Sequence, residues 1–263
     1  MQSENQAQTP EQQSPLAVAQ DLSDERTTLQ KIFDAVHQDR VFVVYQPIVN
    51  AKNFRKILSF EALVRIADEY GRVIPAGEFI DVIENDEVGR IIDTEVMRIC
   101  LRKMKLNPTV RLSLNVSARS IGHLPWRTTL HDAMNRDQTL GSRITLEFTE
   151  VSVNTVPEFV TAFMRDLQAT GMTFALDNFG AGQTSLHTFK KFMFDFVKFD
   201  TLLTRETITC ADTEVLVRAL IEFSHHFDMG VVIDRIENEQ SLRFFQDLNA
   251  DFFQGYLFGK PKP

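Results

Sequence analysis

From Val41 onward, short apolar stretches alternate with longer amphipathic ones. Runs rich in β-branched and aromatic residues recur at 41–49, 57–66, 110–117, 144–150, 173–179, 194–200, 231–236 and 251–258. Their length and composition are those of strands. Between most of them lie segments of helical period, such as Pro157 to Thr170 and Thr213 to Phe227. Eight strands alternating with helices across one domain-sized length predict an α/β fold, a TIM-like (β/α)8 barrel. The first connection breaks the rule. Only about seven residues, 50–56, separate the first two runs, whereas a parallel crossover needs about a dozen or more. These two strands are therefore expected to form an antiparallel hairpin, giving a barrel with its first strand reversed.

Ahead of the barrel, 23–38 has Leu29, Ile32, Phe33 and Val36 at helical spacing, with Asp24 near its start. Residues 1–22 are rich in Gln, Ser and Pro and have too little apolar surface to order themselves. The expected organisation is a tail or linker over 1–22 and a single domain over 23–263, with a helix at 23–38 and the barrel at 41–263.

Composition narrows the functional classes. A hydrophobic fraction of 43% and a charged fraction of 24% belong to a globular chain. A net charge of −8 argues against polymeric nucleic acid and anionic membrane as partners. No apolar run reaches the ~18 residues of a membrane span, and the N-terminus lacks the features of a secretory signal. A cytoplasmic location is expected. Cys100 and Cys210 both fall in predicted helices and are expected as buried or half-buried free thiols. His225 and His226 are expected at an exposed helix end. Met97 and Met104 should lie in the core, and Phe192, Phe194 and Phe196 should fill the barrel or its helix interface.

The surplus carboxylates gather at strand ends. Glu61 lies on the second run, Asn115 on the third, and Glu147 and Glu150 on the fourth. Asp177 and Asn178 follow on the fifth, Lys198 and Asp200 on the sixth, Asp234 and Glu237 on the seventh, and Gln254 on the eighth. One acid at a strand end is ordinarily a helix cap or turn residue. Seven successive strands ending this way imply groups converging on the C-terminal mouth, where barrel chemistry sits. Crowded carboxylates there need a cation. Oxygen donors without a histidine cluster or cysteine pair select Mg2+ or Mn2+, and such an ion beside a lysine suits phosphoryl chemistry.

At these same positions the chain resembles the EAL family, bacterial phosphodiesterases of cyclic di-GMP. The resemblance runs from Val41 to Pro261. It is carried by Glu61-Ala62-Leu63-Val64-Arg65, preceded by Tyr45-Gln46-Pro47-Ile48-Val49. Asn115-Val116-Ser117-Ala118-Arg119, Leu146-Glu147-Phe148-Thr149-Glu150 and Gln254-Gly255-Tyr256-Leu257-Phe258-Gly259-Lys260-Pro261 follow in order. The resemblance implies a barrel with an antiparallel first strand and a Mg2+ or Mn2+ cofactor. It implies that Glu61, Asn115, Glu147 and Asp177 hold a first metal, with Asn178 at the second. Lys198 would lie near the catalytic water and substrate phosphate, and Asp234 would orient that water. Leu63, Arg65 and Gln254 would contact substrate. Glu150 would steady the loop after the fifth strand, and Glu237 would join the mouth from the seventh. The segment Phe179-Gly180-Ala181-Gly182 resembles the one that couples metal binding to dimerisation, so a homodimer or a protein partner is implied too.

Three departures from the family pattern bear on activity. Asn178 stands where a second aspartate is expected, so the second metal loses a carboxylate. Asp234 is one methylene shorter than the expected glutamate, and Arg235 replaces a glycine. A fourth and milder change puts Gln183 where the family has a tyrosine. Three readings follow: a domain that binds cyclic di-GMP or a partner with weak or lost hydrolysis, an active Mg2+- or Mn2+-dependent phosphodiesterase giving linear pGpG, or a scaffold that binds no nucleotide.

Overall fold

The computed structural model describes residues 28–84, 86–181 and 192–263; the predicted tail and the start of the first helix lie outside them. A helix covers 28–37. The strands are β1 (Val41–Asn50), β2 (Asn53–Ala67), β3 (Val73–Pro75), β4 (Leu112–Asn115), β5 (Ile144–Thr149), β6 (Thr173–Phe179), β7 (Phe196–Phe199), β8 (Gly230–Ile233) and β9 (Phe252–Gln254). β1 and β2 pair antiparallel, from Val41 opposite Ile66 to Asn50 opposite Asn53. From β2 the sheet runs parallel through β4, β5, β6, β7, β8 and β9. β9 then meets β1 antiparallel and closes the barrel. The reversed first strand follows from the short connection, as expected.

The hairpin is tighter than the sequence suggests. β2 begins at Asn53 rather than at residue 57, leaving a turn of Ala51 and Lys52. The Asn50 side-chain oxygen accepts from the amides of Lys52 at 3.0 Å and Asn53 at 3.1 Å, an Asx turn that reverses the chain without glycine. The start of β2 is exposed and polar, which hides it from a search for apolar runs. The short strand β3, pairing antiparallel with the end of β2, was also not expected.

Alternation along each strand separates two environments. One set of positions is apolar and packs under the surrounding helices. Leu114, Leu146, Phe148, Phe174, Val197 and Val231 are fully or almost fully buried there, in one core with Met97, Met104, Trp126, Val160, Met164 and Val217. Burying each large side chain contributes about 1.5–3 kcal/mol. The other set lines the barrel. At its lower level the hydroxyls of Ser59 and Ser113 meet at 3.0 Å, and those of Thr145 and Thr173 at 2.8 Å. Phe196 and Phe252 pack edge to face at 5.7 Å beside them. Gly230 makes room for both rings, since a Cβ there would fall 2.9 Å from Phe196 and 3.0 Å from Phe252.

Several smaller expectations resolve. Met97 and Met104 are core residues, and Phe192 and Phe194 are buried although they precede β7. Cys100 is buried, but Cys210 is exposed, because it caps the helix Ala211–His226 instead of lying within it. His225 lies in the last turn of that helix and meets Asp251 at 2.8 Å. Asp200 is the N-cap of the helix Thr201–Thr207, accepting from the amides of Leu202 and Leu203. Among the described residues no helix is long and apolar enough to cross a membrane.

Candidate functional site

One level above the paired hydroxyls and the two phenylalanines, the lining positions become charged. Two residues beyond Ser59, Ser113, Thr145 and Phe196 come Glu61, Asn115, Glu147 and Lys198, and two beyond Phe252 comes Gln254. The strand period thus delivers these side chains to one layer. Lys198 Nζ donates to Glu61 Oε2 at 3.0 Å and to Glu147 Oε2 at 2.9 Å. Glu61 also accepts from Asn115 Nδ2 at 2.7 Å and from Gln254 Nε2 at 2.6 Å. The Gln254 amide reaches Gln46 Oε1 at 3.3 Å, and Gln46 Nε2 donates to the Gly259 carbonyl at 3.2 Å. Glu61, Glu147, Lys198, Gln46 and Gln254 are all buried.

Four carboxylates act on one buried ammonium. Burial disfavours the charged lysine, but Glu147, Glu61, Asp177 and Asp234 outweigh it and hold its pKa well above the ordinary value. Burial also disfavours charged Glu61; Lys198, Gln254 and Asn115 overcome it, and its pKa is lowered. Glu147 has only the lysine as side-chain partner among the described residues. Burial therefore wins there and, with Glu61 and Asp177 nearby, pushes its pKa up to about 8. Asp177 and Asp234 are raised as well, first by burial and then by Glu61. The two glutamates share the ammonium, and the added amide donors of Gln254 and Asn115 are what hold Glu61, rather than Glu147, in the charged form.

The rim is less connected. Asp234 Oδ1 accepts from the backbone amide of Arg235 at 2.6 Å, so this carboxylate is turned onto its own loop. Asn178 and Arg235 are exposed, with φ of 57° and 58°. Asparagine adopts that left-handed backbone readily, whereas arginine does so at a cost of about 1–2 kcal/mol. The loop carrying Arg235 is held from below: Gly255 lies so close to Ile236 that any Cβ would strike its backbone, and Ile236 donates to the Gln254 carbonyl at 2.9 Å.

Arg65 is half-buried and donates to the Val64 carbonyl at 2.8 Å. Burial lowers its pKa against the pull of Tyr256 and Glu61. Leu63 is half-buried opposite Val44 on β1. Glu150 is buried as the first residue of the helix Glu150–Thr155, which Thr149 caps. Glu237 is exposed and shares no hydrogen bond or ion pair with the cluster among the described residues. Phe179, Gly180 and Ala181 end β6, but Gly182 and Gln183 lie outside the described residues.

Two supporting residues were not singled out from the sequence. Gln46 was visible only as part of Tyr45-Gln46-Pro47; its place opposite Glu61 on the antiparallel strand gives it its role. Asp93, on the helix Glu87–Leu106, accepts from the Ser117 amide at 3.1 Å and the Ser120 hydroxyl at 2.6 Å. It thereby fastens the loop that leaves Asn115, and no short sequence spacing announces a contact made across 24 residues.

Burial raises the Asp93 pKa to about 6 against the hydrogen bonds from Ser120 and Ser117. The folded chain therefore holds this proton more tightly than the unfolded chain does. The associated stability is complete below about pH 4 and is lost as the pH rises through the folded pKa. Asp93→Asn is expected to flatten that stretch of the stability curve and to exceed the parent at pH 7 by about 1–3 kcal/mol. Urea unfolding between pH 4 and 7 measures this. Parallel curves for parent and variant would assign the titration to another group.

Among the described residues, no three His, Cys, Asp or Glu side chains are gathered as a metal site, and the cation between Glu61 and Glu147 is the lysine ammonium. The residues nevertheless fit a hard divalent ion. Their donors are oxygens, their carboxylates outnumber the ammonium, and Gln254 Oε1 is buried without a partner.

The class that the fold and the site define is a closed α/β barrel with an oxygen-rich, lysine-centred mouth. The EAL domain model matches residues 29–261, and the chain belongs to the EAL domain family. It is 27% identical over 246 residues to the cyclic di-GMP phosphodiesterase PdeA of Borreliella burgdorferi, covering 92% of this chain and 37% of that protein. It is 24% identical over 237 residues to the cyclic di-GMP phosphodiesterase PdeB of Shewanella oneidensis, covering 89% and 28%. The chain thus spans about a third of these curated relatives. Among solved structures, the EAL enzyme Bd1971 in its cAMP- and cyclic-di-GMP-bound form superposes with TM-score 0.81 at 26% identity, covering 94% of this chain and 69% of that one. The FimX EAL domain of Xanthomonas citri in complex with c-diGMP superposes with TM-score 0.79 at 18% identity, covering 93% and 97%. That second likeness is one of fold.

Proposed function

We propose that this domain binds cyclic di-GMP at the barrel mouth and hydrolyses it weakly or not at all. The observation that carries this reading is the contrast between the inner and outer parts of the cluster. Glu61, Glu147, Lys198 and Gln254 form one buried hydrogen-bonded unit, which the exposed Asn115 joins at its edge through Glu61. At the rim, Asn178 supplies no charge, and Asp234 is engaged by its own loop amide.

Glu61, Asn115, Glu147 and Asp177 would hold Mg2+ or Mn2+, with Asn178 offering a weaker second position through its carbonyl oxygen. A bound divalent ion would polarise a phosphate and lower the pKa of a water. Lys198 keeps Glu61 ionised and supplies positive charge beside a phosphate. Arg65, with Leu63 next to its strand neighbours, would grip the ligand at the edge, and Gln254 would orient it through its amide. Glu150 and Glu237 would support the mouth from its loops. A homodimer through the segment after β6, and a cytoplasmic setting, belong to the same proposal.

A second reading, an active phosphodiesterase releasing linear pGpG, is favoured by the four-carboxylate cluster and by relatives that carry that name. Incubation with cyclic di-GMP and Mn2+, followed by chromatography, separates the two. The proposal expects calorimetric binding with little linear product. Rapid conversion establishes the active enzyme instead, and absence of binding with and without metal leaves a scaffold that takes no nucleotide.

A further inference from the structure

At the opposite end of the barrel from the mouth, the helices Glu87–Leu106 and Leu124–Arg136 enclose a cavity of about 650 Å3. It is bounded by Pro108 and by 137–143, the segments that lead into β4 and β5. Arg98, Arg102, Lys105, Arg136 and Arg143 line it, against the acids Asp132 and Asp137. In a chain of net charge −8, this is a local reversal of sign. Leu101, Met104 and Leu140 supply an apolar wall.

The cations are only partly engaged. Arg98 and Arg102 share Glu95 through long contacts of 3.4 and 3.3 Å. Lys105 and Arg136 have no ion-pair partner among the described residues. Arg143, its side chain 10% exposed, pairs with Asp137 at 2.7 Å; its Nη1 reaches the Met104 carbonyl only at 3.4 Å, and its Nε is buried without a partner. Lys105 and Arg136 sit in last helical turns, where they offset the helix dipole. Arg98 and Arg102 lie further back, and Arg143 belongs to no α-helix, so that role does not account for the cluster.

We propose that this cavity is a second binding site, for a small organic phosphate with an apolar body, of the size and charge of a nucleoside di- or triphosphate. Cavities of roughly 300–1,000 Å3 hold ligands of that size. Guanidinium forks match phosphate oxygens in pairs and also stack on flat rings. The apolar wall would take the body while the rim takes the charge. This inference does not depend on what the mouth binds.

Calorimetry on the full chain in chelator, with GTP and ATP as probes and with inorganic tripolyphosphate and guanosine as separate arms, tests it. The expected result is one nucleotide per chain, with weaker binding of both fragments. The double variant Arg98→Gln, Arg136→Gln should weaken nucleotide binding about tenfold or more while unfolding at the parent's temperature. If that pair unfolds early, Arg98→Gln with Lys105→Gln serves the same purpose. The proposal is overturned by no heat at millimolar nucleotide, by affinity unchanged in the variants, or by tripolyphosphate binding as tightly as the nucleotides.

Discussion

Lys198→Met is expected to unfold far more easily at pH 8 than at pH 6. The substitution keeps an unbranched side chain, shorter by the terminal atom alone, and removes the buried cation that Glu61, Glu147, Asp177 and Asp234 share. Breaking a buried ion pair by deleting one partner costs about 3–5 kcal/mol, because the surviving charge is left without compensation. At low pH the carboxylates have another outlet. Glu147, already pushed up to about 8 by burial, and Asp177 take up protons and the repulsion falls. The loss should therefore be largest at pH 8 and smaller at pH 6, and millimolar Mn2+ should restore part of it at pH 8 by replacing one cation with another. Urea unfolding at both pH values, with and without Mn2+, measures all three effects. An equal loss at both pH values would mean that Lys198 contributes packing and hydrogen bonds rather than charge. The surface pairs give the contrast: Arg243 with Glu239 is exposed on both sides, and removing either should cost no more than about 1 kcal/mol.

The second large effect concerns rate. Asn178→Asp combined with Asp234→Glu is expected to raise conversion of cyclic di-GMP to linear pGpG about 100-fold in Mn2+. That corresponds to about 2.7 kcal/mol of barrel-mouth stabilisation of the transition state. Asn178→Asp adds a carboxylate beside Asp177. Asp234→Glu adds a methylene, which lets the carboxylate reach past the Arg235 amide that now holds it at 2.6 Å. Each single variant should give part of the gain. A double variant as slow as the parent would show that neither residue limits turnover, and attention would pass to Arg235 and its left-handed backbone.

The architecture was legible wherever one physical rule acted alone. Strand-length apolar runs gave the barrel, and a connection too short for a crossover gave its reversed strand. The inner cluster was legible for a similar reason. Polar residues that end successive barrel strands must meet at one mouth, so Glu61, Asn115 and Lys198 could be grouped before their contacts were known.

The exceptions are equally physical. Asp200 looks like its neighbours in the sequence, yet a residue just past a strand and just before a helix serves the helix amides first. Cys210 reads as helical because the residues on both sides are, and only the chain direction makes it a cap. Gln46 and Asp93 act through partners far away in sequence: Gln46 meets Gln254 across 208 residues and Asp93 meets Ser120 across 27. Periodicity carries no information about such pairings. The hydroxyl pairs Ser59–Ser113 and Thr145–Thr173 were hidden because serine and threonine in a strand attract no notice.

Phe196 and Phe252, wedged together beside Gly230, stopper the lower barrel. Among the described residues, that leaves the mouth as the doorway to Lys198. On the proposed function, a bound dinucleotide would stand in that doorway, and traffic would be ordered: ions would enter ahead of the nucleotide and leave behind it. Excess nucleotide should accordingly slow the exchange of bound Mn2+, although the two need not compete for the same ligands.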